Sequence, residues 1–341
     1  MMLTIKIKHG ADLSVELEKA RQVAVFALKT GSRTSKDVKH FGLKSALSNQ
    51  VLKKYSSNKK LKVVNRVKLT VPSQSIKVDK DELFIPCLGL RIPTFYFRYN
   101  FTKINQIELD KTFAFVTGEI KEPEITKSEK YLGVDLNTTG HCAVIGIPHT
   151  GEVIKLGKKA LHVHTKYKNI RKKFQSLGKY RKLNHIKRRE LNIVRDLNHK
   201  ISKKIVLTAK ENGCSIKLEN LKGIRNNKKQ ARSFHYSLSS WSYFQLRNFI
   251  EYKAKKFGVD VGFVVPAYTS KKCSKCGTIG IRKDKSFTCP QCGHVDHADA
   301  NAAFNIAVWP LYDPLHIDRD VCKGSTDAPQ WEGATSCGIA A

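Results

Sequence analysis

Two sets of side chains in this 341-residue chain have the types and spacing that do chemistry. The first is a quartet of cysteines, Cys273-x-x-Cys276 and Cys289-x-x-Cys292, with twelve residues between the pairs and a glycine, Gly277 or Gly293, after each. Two such turns facing each other across a short hairpin supply the tetrahedral thiolate shell that Zn²⁺ favours. Four thiolates leave no open coordination position, so a single structural zinc is expected, not a catalytic one. The other five cysteines, Cys87, Cys142, Cys214, Cys322 and Cys337, are scattered. An odd total without a secretion signal argues for reduced thiols over a disulfide framework. His294 and His297 flank the second pair, and with four cysteines at hand they are expected at the surface or against phosphate.

The second set is three carboxylates far apart in sequence. Asp135 lies within the apolar run YLGVDLN, on the same side as Gly133, whose missing side chain is expected to leave room for a metal or a phosphate. Glu219 ends the run SIKLEN, and Asp299 precedes NAAFNIAVW. An acid inside a hydrophobic strand costs several kcal/mol unless compensated, and a divalent cation compensates well. Singly, each has an ordinary alternative: Asp299 could cap a helix and Glu219 could make a strand-end salt bridge.

These acids need a scaffold, and the pattern of apolar residues predicts one. Leu132, Val134 and Leu136 on one face predict a strand, and HCAVIGI, after a turn at Thr138 to Gly140, predicts its hairpin partner. From His164 to Lys210 the period becomes helical, with a break at Gly178. SIKLEN is a strand with Ile216 and Leu218 on one face. A helix from about Ser240 to Gly258, a strand over Val259 to Pro266 and a helix from near Asp299 complete the set. Before these, Asp12 is placed to cap a helix with the stripe Leu13, Leu17, Ala20, Ala24 and Leu28, and Leu47, Val51 and Tyr55 mark a second helix. Short strands are expected over Arg66 to Val71, Ser75 to Val78, Leu83 to Ile85, Thr94 to Tyr99 and Thr112 to Gly118, broken by Pro72, Pro86 and Pro93. They read as a small β-barrel with a helical insertion.

The formal charge is +33, so a polyanion is the expected partner. The excess is uneven: Gly151 to Lys210 holds nineteen basic and three acidic residues, whereas the tail from Leu311 holds two basic and five acidic. Within the basic helical stretch, Lys166, Lys168, Arg171, Lys172, Lys173, Arg181, Lys182, Arg188, Arg189, Lys203 and Lys204 are candidate phosphate contacts that grip backbone without reading sequence. Phe174 is expected in the core; Tyr167 and Tyr180 suit either core or base stacking. The Asn, Lys and Arg loop at Arg225 to Arg232 is either a lid near the acids or a solvated linker. No apolar run approaches the roughly 18 residues that span a bilayer, and MMLTIKIKHG lacks a signal region. A cytoplasmic, nucleoid-associated protein without membrane contact is expected.

GVDLN at Gly133 to Asn137, IKLENLKGI at Ile216 to Ile224, YTSKKCSKCG at Tyr268 to Gly277, CPQCG at Cys289 to Gly293 and HADANAAFNI at His297 to Ile306 stand in this order. In this the chain resembles the TnpB proteins, transposon-encoded RNA-guided nucleases related to compact type V CRISPR effectors. The resemblance covers about Tyr131 to Val308. It implies an α/β RNase H-like (RuvC) nuclease domain with an inserted zinc ribbon, after an N-terminal small β-barrel with a helical insertion. Asp135, Glu219 and Asp299 are then catalytic acids holding two Mg²⁺ or Mn²⁺ ions, and Cys273, Cys276, Cys289 and Cys292 hold the zinc. Many members carry Asp-Arg-Asp where this chain has His297-Ala298-Asp299, a variant that keeps the acid.

The implied partners are a guide RNA and target DNA. The implied organisation is residues 1–128 for the barrel and its recognition insertion, 129–267 for the nuclease domain with its basic hairpin, 268–294 for the ribbon, 295–312 for the nuclease domain's last helix and 313–341 for a tail. The expected function is RNA-guided DNA cleavage by two-metal-ion hydrolysis. An RNA-guided DNA-binding regulator with weak cleavage, and a transposase performing strand transfer, are the alternatives.

Overall fold

The computed structural model describes residues 1–58, 61, 63–97, 99–138, 140–221 and 242–311. The expected lid at Arg225 to Arg232, the start of the helix at Ser240, and the acidic tail with Cys322 and Cys337 lie outside the described residues. The chain divides into two compact units, Met1–Glu122 and Pro123–Ala341. Among the described residues no helix is long and apolar enough to cross a membrane.

In the first unit, strand β1 (Met2–Lys8) is followed by helices α1 (Ser14–Thr30) and α2 (Ser45–Tyr55), then β2 (Leu69–Pro72), β3 (Lys77–Val78), β4 (Glu82–Ile85), β5 (Leu90–Pro93), β6 (Phe101–Leu109) and β7 (Phe113–Ile120). The two helices are thus inserted between β1 and β2. Hydrogen bonds define an antiparallel four-stranded sheet, β1-β7-β6-β2, and a separate meander, β3-β4-β5. No closed ladder joins them among the described residues, so where a small barrel is expected there are two separate sheets over one core.

The expected stripe of α1 is found: Leu13, Ala20 and Ala24 are buried, and Leu17 and Leu28 pack against the same cluster. Asp12 accepts a hydrogen bond from the Ser14 N–H at 3.0 Å, one residue before the helix cap. Leu47, Val51 and Tyr55 bury one face of α2. Two expected strands are corrected. Thr94 to Tyr96 is a 3₁₀ turn in which the Thr94 N–H is donated to Asp81 O, and the strand expected over Ser75 to Val78 shrinks to the two-residue β3, because Ser73 to Ser75 form a 3₁₀ turn. Pro72 and Pro93 precede these turns, fixing φ and removing a ladder donor.

The second unit holds the three acids and the cysteine quartet. Its strands β8 (Tyr131–Leu136), β9 (Ala143–Ile147), β10 (Glu152–Leu156), β11 (Ser215–Glu219) and β12 (Val261–Val264) form one sheet in the order β10-β9-β8-β11-β12. The first three make an antiparallel meander, while β11 runs parallel to β8 and to β12. Parallel neighbours need crossovers. Helices α3 (Lys158–Ser176) and α4 (Tyr180–Glu211) provide the one from β10 to β11, and α5 (Tyr243–Phe257) lies on the way to β12. Ile201, Ile205 and Val206 of α4 and Leu246 and Ile250 of α5 cover the sheet face carrying Leu132, Val134, Ile216 and Leu218. The break at Gly178 is present, with φ +62°.

The opposite face receives helix α6 (Ala298–Val308). It lies very close, and here the expectation for Gly133 is corrected. A Cβ on Gly133 would collide with the Ala303 carbonyl and stand 2.5 Å from the Ala307 N, and one on Gly146 would stand 2.9 Å from the Phe304 N. The room beside Asp135 is therefore filled by helix backbone, not left for a ligand. The alanines of α6 make the same close approach possible from the other side. Between β12 and α6 the chain forms the antiparallel ribbon β13 (Ile281–Lys283), β14 (Ser286–Thr288) and β15 (Val295–His297), centred on buried Phe287.

Candidate functional site

Register places two acids side by side. Val134 of β8 pairs with Leu218 of β11, so Asp135 and Glu219 are the next residues along two parallel strands, at their carboxyl ends. Ligands of open α/β sheets bind in the crevice at that edge. The Gly133 and Gly146 contact lets α6 descend on the same face, which brings Asp299, in its first turn, towards them. Lys217, on that face, donates to the Trp309 carbonyl at 2.7 Å and so pins the far end of the helix. Asp299 is not the cap: His297 is, its Nδ1 accepting the Asp299 N–H at 3.3 Å. His297, expected at the surface or against phosphate, caps the helix with a third of its side chain still exposed.

Asp135 and Asp299 are buried, 8% and 1% exposed, and Glu219 is half-buried. Burial, and then the Glu219 and Asp299 charges, push the Asp135 carboxyl up to about 8, against a hydrogen bond from Asn137 Nδ2 to its Oδ2 at 2.7 Å. Burial likewise raises Glu219, opposed by the Thr269 hydroxyl, which donates to its Oε1, and by the Arg282 charge. That hydroxyl takes the place of the salt bridge considered for Glu219. Asp299 meets cations directly: Lys285 Nζ lies 2.9 and 2.7 Å from its two oxygens, and Arg282 Nη2 3.4 Å from Oδ1. Lys285 stands at the β13–β14 turn, where Asp284 takes φ +54°.

Three carboxylates brought together offer hard oxygen donors, which suit Mg²⁺ or Mn²⁺. Lys285 shows that a cation is accepted at Asp299. The acids are spread more widely than the cysteines, whose sulfur atoms all lie within 4.8 Å of one another and are the one such tight donor group of three or more among the described residues. Cys273 and Cys292 Sγ are 3.7 Å apart and Cys276 and Cys289 Sγ 3.5 Å. The Thr278 backbone N–H, helped by the Cys289 and Cys292 thiols, holds the Cys276 thiol down at about 6. Four soft, ionisable donors at this separation fit one zinc.

The ribbon is fastened to α6 by side chains the sequence did not single out. Asn301 Oδ1 accepts the Ser274 N–H at 2.8 Å, its Nδ2 donates to Lys272 O at 2.7 Å, and Asn305 Nδ2 donates to Thr269 O and Lys272 O at 2.8 and 2.7 Å. His294, at the ribbon's edge, is 3.8 Å from Asp296 Oδ2.

On the basic hairpin, Lys166, Lys168, Lys172, Lys173, Arg181, Lys182, Arg188, Arg189, Lys203 and Lys204 are exposed. Arg171 is not. It pairs with Glu190, which is 7% exposed and also 2.9 Å from His164 Nδ1, so this arginine ties α3 to α4. Tyr167 is buried, Phe174 is half-buried, and Tyr180, 69% exposed near the tip, is available for stacking.

The family model described as Cas12f1-like, TNB domain, matches residues 243–306. A TnpB-like protein of Aquifex aeolicus (strain VF5) is 31% identical over 218 residues, covering 54% of this chain and 69% of that protein. A CRISPR-associated endodeoxyribonuclease Cas12f1 of Sulfoacidibacillus thermotolerans is 40% identical over 115 residues, 33% of this chain and 26% of that protein. The cryo-EM structure of a Cas12f1-sgRNA-target DNA complex aligns over 90% of this chain and 99% of its own with a TM-score of 0.45 and 16% identity.

Proposed function

The chain belongs to the TnpB-like family, and from that premise we propose that it is an RNA-guided DNA endonuclease whose cleavage centre is Asp135, Glu219 and Asp299. The observation that carries the reading is that two parallel strands set Asp135 and Glu219 side by side at their carboxyl edge while the first turn of α6 brings Asp299 towards them, beside a ribbon with a zinc-binding quartet. The endodeoxyribonuclease relative supports the chemistry over its shorter match.

The reaction is hydrolysis of a phosphodiester. Water oxygen bonds to phosphorus, the bond to the 3′ oxygen breaks, and a 5′-phosphate and a 3′-hydroxyl result. Two divalent ions bound to the three acids would supply an activated water and stabilise the leaving oxygen. The chain does the rest. Asn137 and Thr269 orient Asp135 and Glu219, the first turn of α6 holds Asp299, and Lys285 and Arg282 keep Asp299 neutralised until metal and phosphate arrive. The exposed cations of α3 and α4 would hold the guide RNA and its duplex with target DNA by charge and shape, leaving sequence to base pairing.

The test is to purify the protein, sequence its bound RNA, and offer DNA matching that RNA. Cutting only with Mg²⁺ or Mn²⁺, and its loss in Asp135→Ala and Glu219→Ala, is the expected result. Guided binding without cutting under every metal, or joined products without RNA, would replace the nuclease reading with a regulator or a transposase.

A further inference from the structure

The stretch 265–272, between β12 and the first cysteine pair, contains neither an acid nor a zinc ligand. Yet Tyr268 stands at φ +65°, a region costly to a bulky side chain. Such conformations persist only where the surroundings over-determine them, and they gather at functional sites. The surroundings here are explicit. The Lys271 and Lys272 N–H groups both reach the Tyr268 carbonyl at 3.0 Å, and Asn305 and Asn301 of α6 clamp the Thr269 and Lys272 carbonyls. The next two residues are Cys273 and Ser274, the latter also held by Asn301. Thr269, Asn301 and Asn305 are 1%, 0% and 3% exposed.

The effect of the turn is to aim one hydroxyl. Thr269 Oγ1 has a single proton, with the Pro266 carbonyl 3.1 Å away and Glu219 Oε1 closer. The proton goes to the carboxylate, so one oxygen of Glu219 is fixed and its orientation is set by a residue four positions before a zinc ligand. We propose that Thr269 is the positioning residue that couples the zinc ribbon to the acid centre, through Asn305 and the strained turn at Tyr268. What Glu219 holds rests on the nuclease reading; the coupling is a property of this chain's own geometry. It gives the ribbon a task beyond stability, since a ribbon without its metal would release 269–274 and with it the donor to Glu219.

The experiment measures Mn²⁺ binding by the zinc-loaded, RNA-free full chain, from the paramagnetic resonance of free Mn²⁺, with Asp135→Ala defining the signal from the acid centre. Partners of metal ligands are worth about 10- to 100-fold in affinity. Thr269→Val, which keeps the shape and removes the hydroxyl, is expected to weaken Mn²⁺ binding by about tenfold with zinc content and melting temperature unchanged, and Thr269→Ser to restore it. Asn305→Ala, which loosens the same turn, serves as a second variant and should shift binding in the same direction. In a Glu219→Gln background Thr269→Val should have no further effect. Parent-like Mn²⁺ binding by both Thr269→Val and Asn305→Ala, or an undiminished Thr269→Val effect on Glu219→Gln, would overturn the proposal and leave the nuclease reading standing. Parent binding no tighter than Asp135→Ala would overturn that reading, and the proposal with it.

Discussion

Two acids of this molecule are buried to nearly the same degree and treated in opposite ways. Glu190, 7% exposed in the basic hairpin, has a guanidinium on one oxygen and an imidazole on the other, from Arg171 and His164. Asp135, 8% exposed at the sheet edge, has an amide from Asn137 and two further acids nearby. A buried charge that is paired and hydrogen-bonded has its desolvation offset by the fold itself. One left among like charges raises its own proton affinity and waits for a cation. On the proposed reading the contrast separates an acid that holds structure from an acid that does work, and burial alone would not have told them apart.

The largest expected effects break that comparison directly. If Asp135 works and Glu190 only holds, Asp135→Ala should reduce DNA cutting by roughly a thousandfold or more, because bound metal contributes several kcal/mol and each factor of ten is about 1.4. Its melting temperature should not fall, since one of three mutually repelling acids has been removed from the sheet edge. Glu190→Gln should do the reverse. Breaking a buried pair costs about 3 kcal/mol, the low end of the usual range, because Arg171 remains a quarter exposed. The rate of cutting at saturating RNA, below the new melting temperature, should change little. A Glu190→Gln protein of full stability and no activity would erase the distinction.

Residue type and order made much of this readable before any coordinates. The cysteine pairs declare a metal by spacing, and the helical stripes of α1 and α2 declare their buried faces. Strand β1 lies outside the strands expected from the sequence, although Leu3, Ile5 and Ile7 alternate along it. Strand β6 hides its alternation, because register shifts at Phe101/Lys103 and Ile104/Gln106 break the two-residue period. Gly133 signalled a close approach without saying what approaches: the same missing Cβ admits a ligand or a helix, and only the packing of Ala303 and Ala307 decides. Thr269, Lys285, Asn301 and Asn305 were out of reach for a different reason. Each is polar in a polar or alanine-rich stretch, with no period or spacing to set it apart, and each acquires its role from partners 14 to 50 residues away.

The smallest expected effect sharpens the comparison without any mutation, because the two sites should respond to pH in opposite directions. Burial, and then the Arg171 charge, hold His164 below its ordinary value. It binds fewer protons folded than unfolded, so its contribution to the hairpin is complete above about pH 6.5 and is lost as pH falls below that. Asp135 is raised from 3.8 to about 8 and binds more protons folded than unfolded. Its contribution is complete below about pH 4 and is lost as pH rises towards 8. Hydrogen exchange of peptides from α3 and α4 and from β8, corrected for intrinsic rates, should therefore show hairpin protection dropping towards pH 5 and β8 protection dropping towards pH 8 in metal-free protein. Magnesium should flatten the β8 trend alone, since it favours the ionised carboxylate there and has no differential affinity for the hairpin. A common slope in both regions, or a hairpin trend that magnesium also flattens, would mean that Glu190 and Asp135 are not the two kinds of buried acid described.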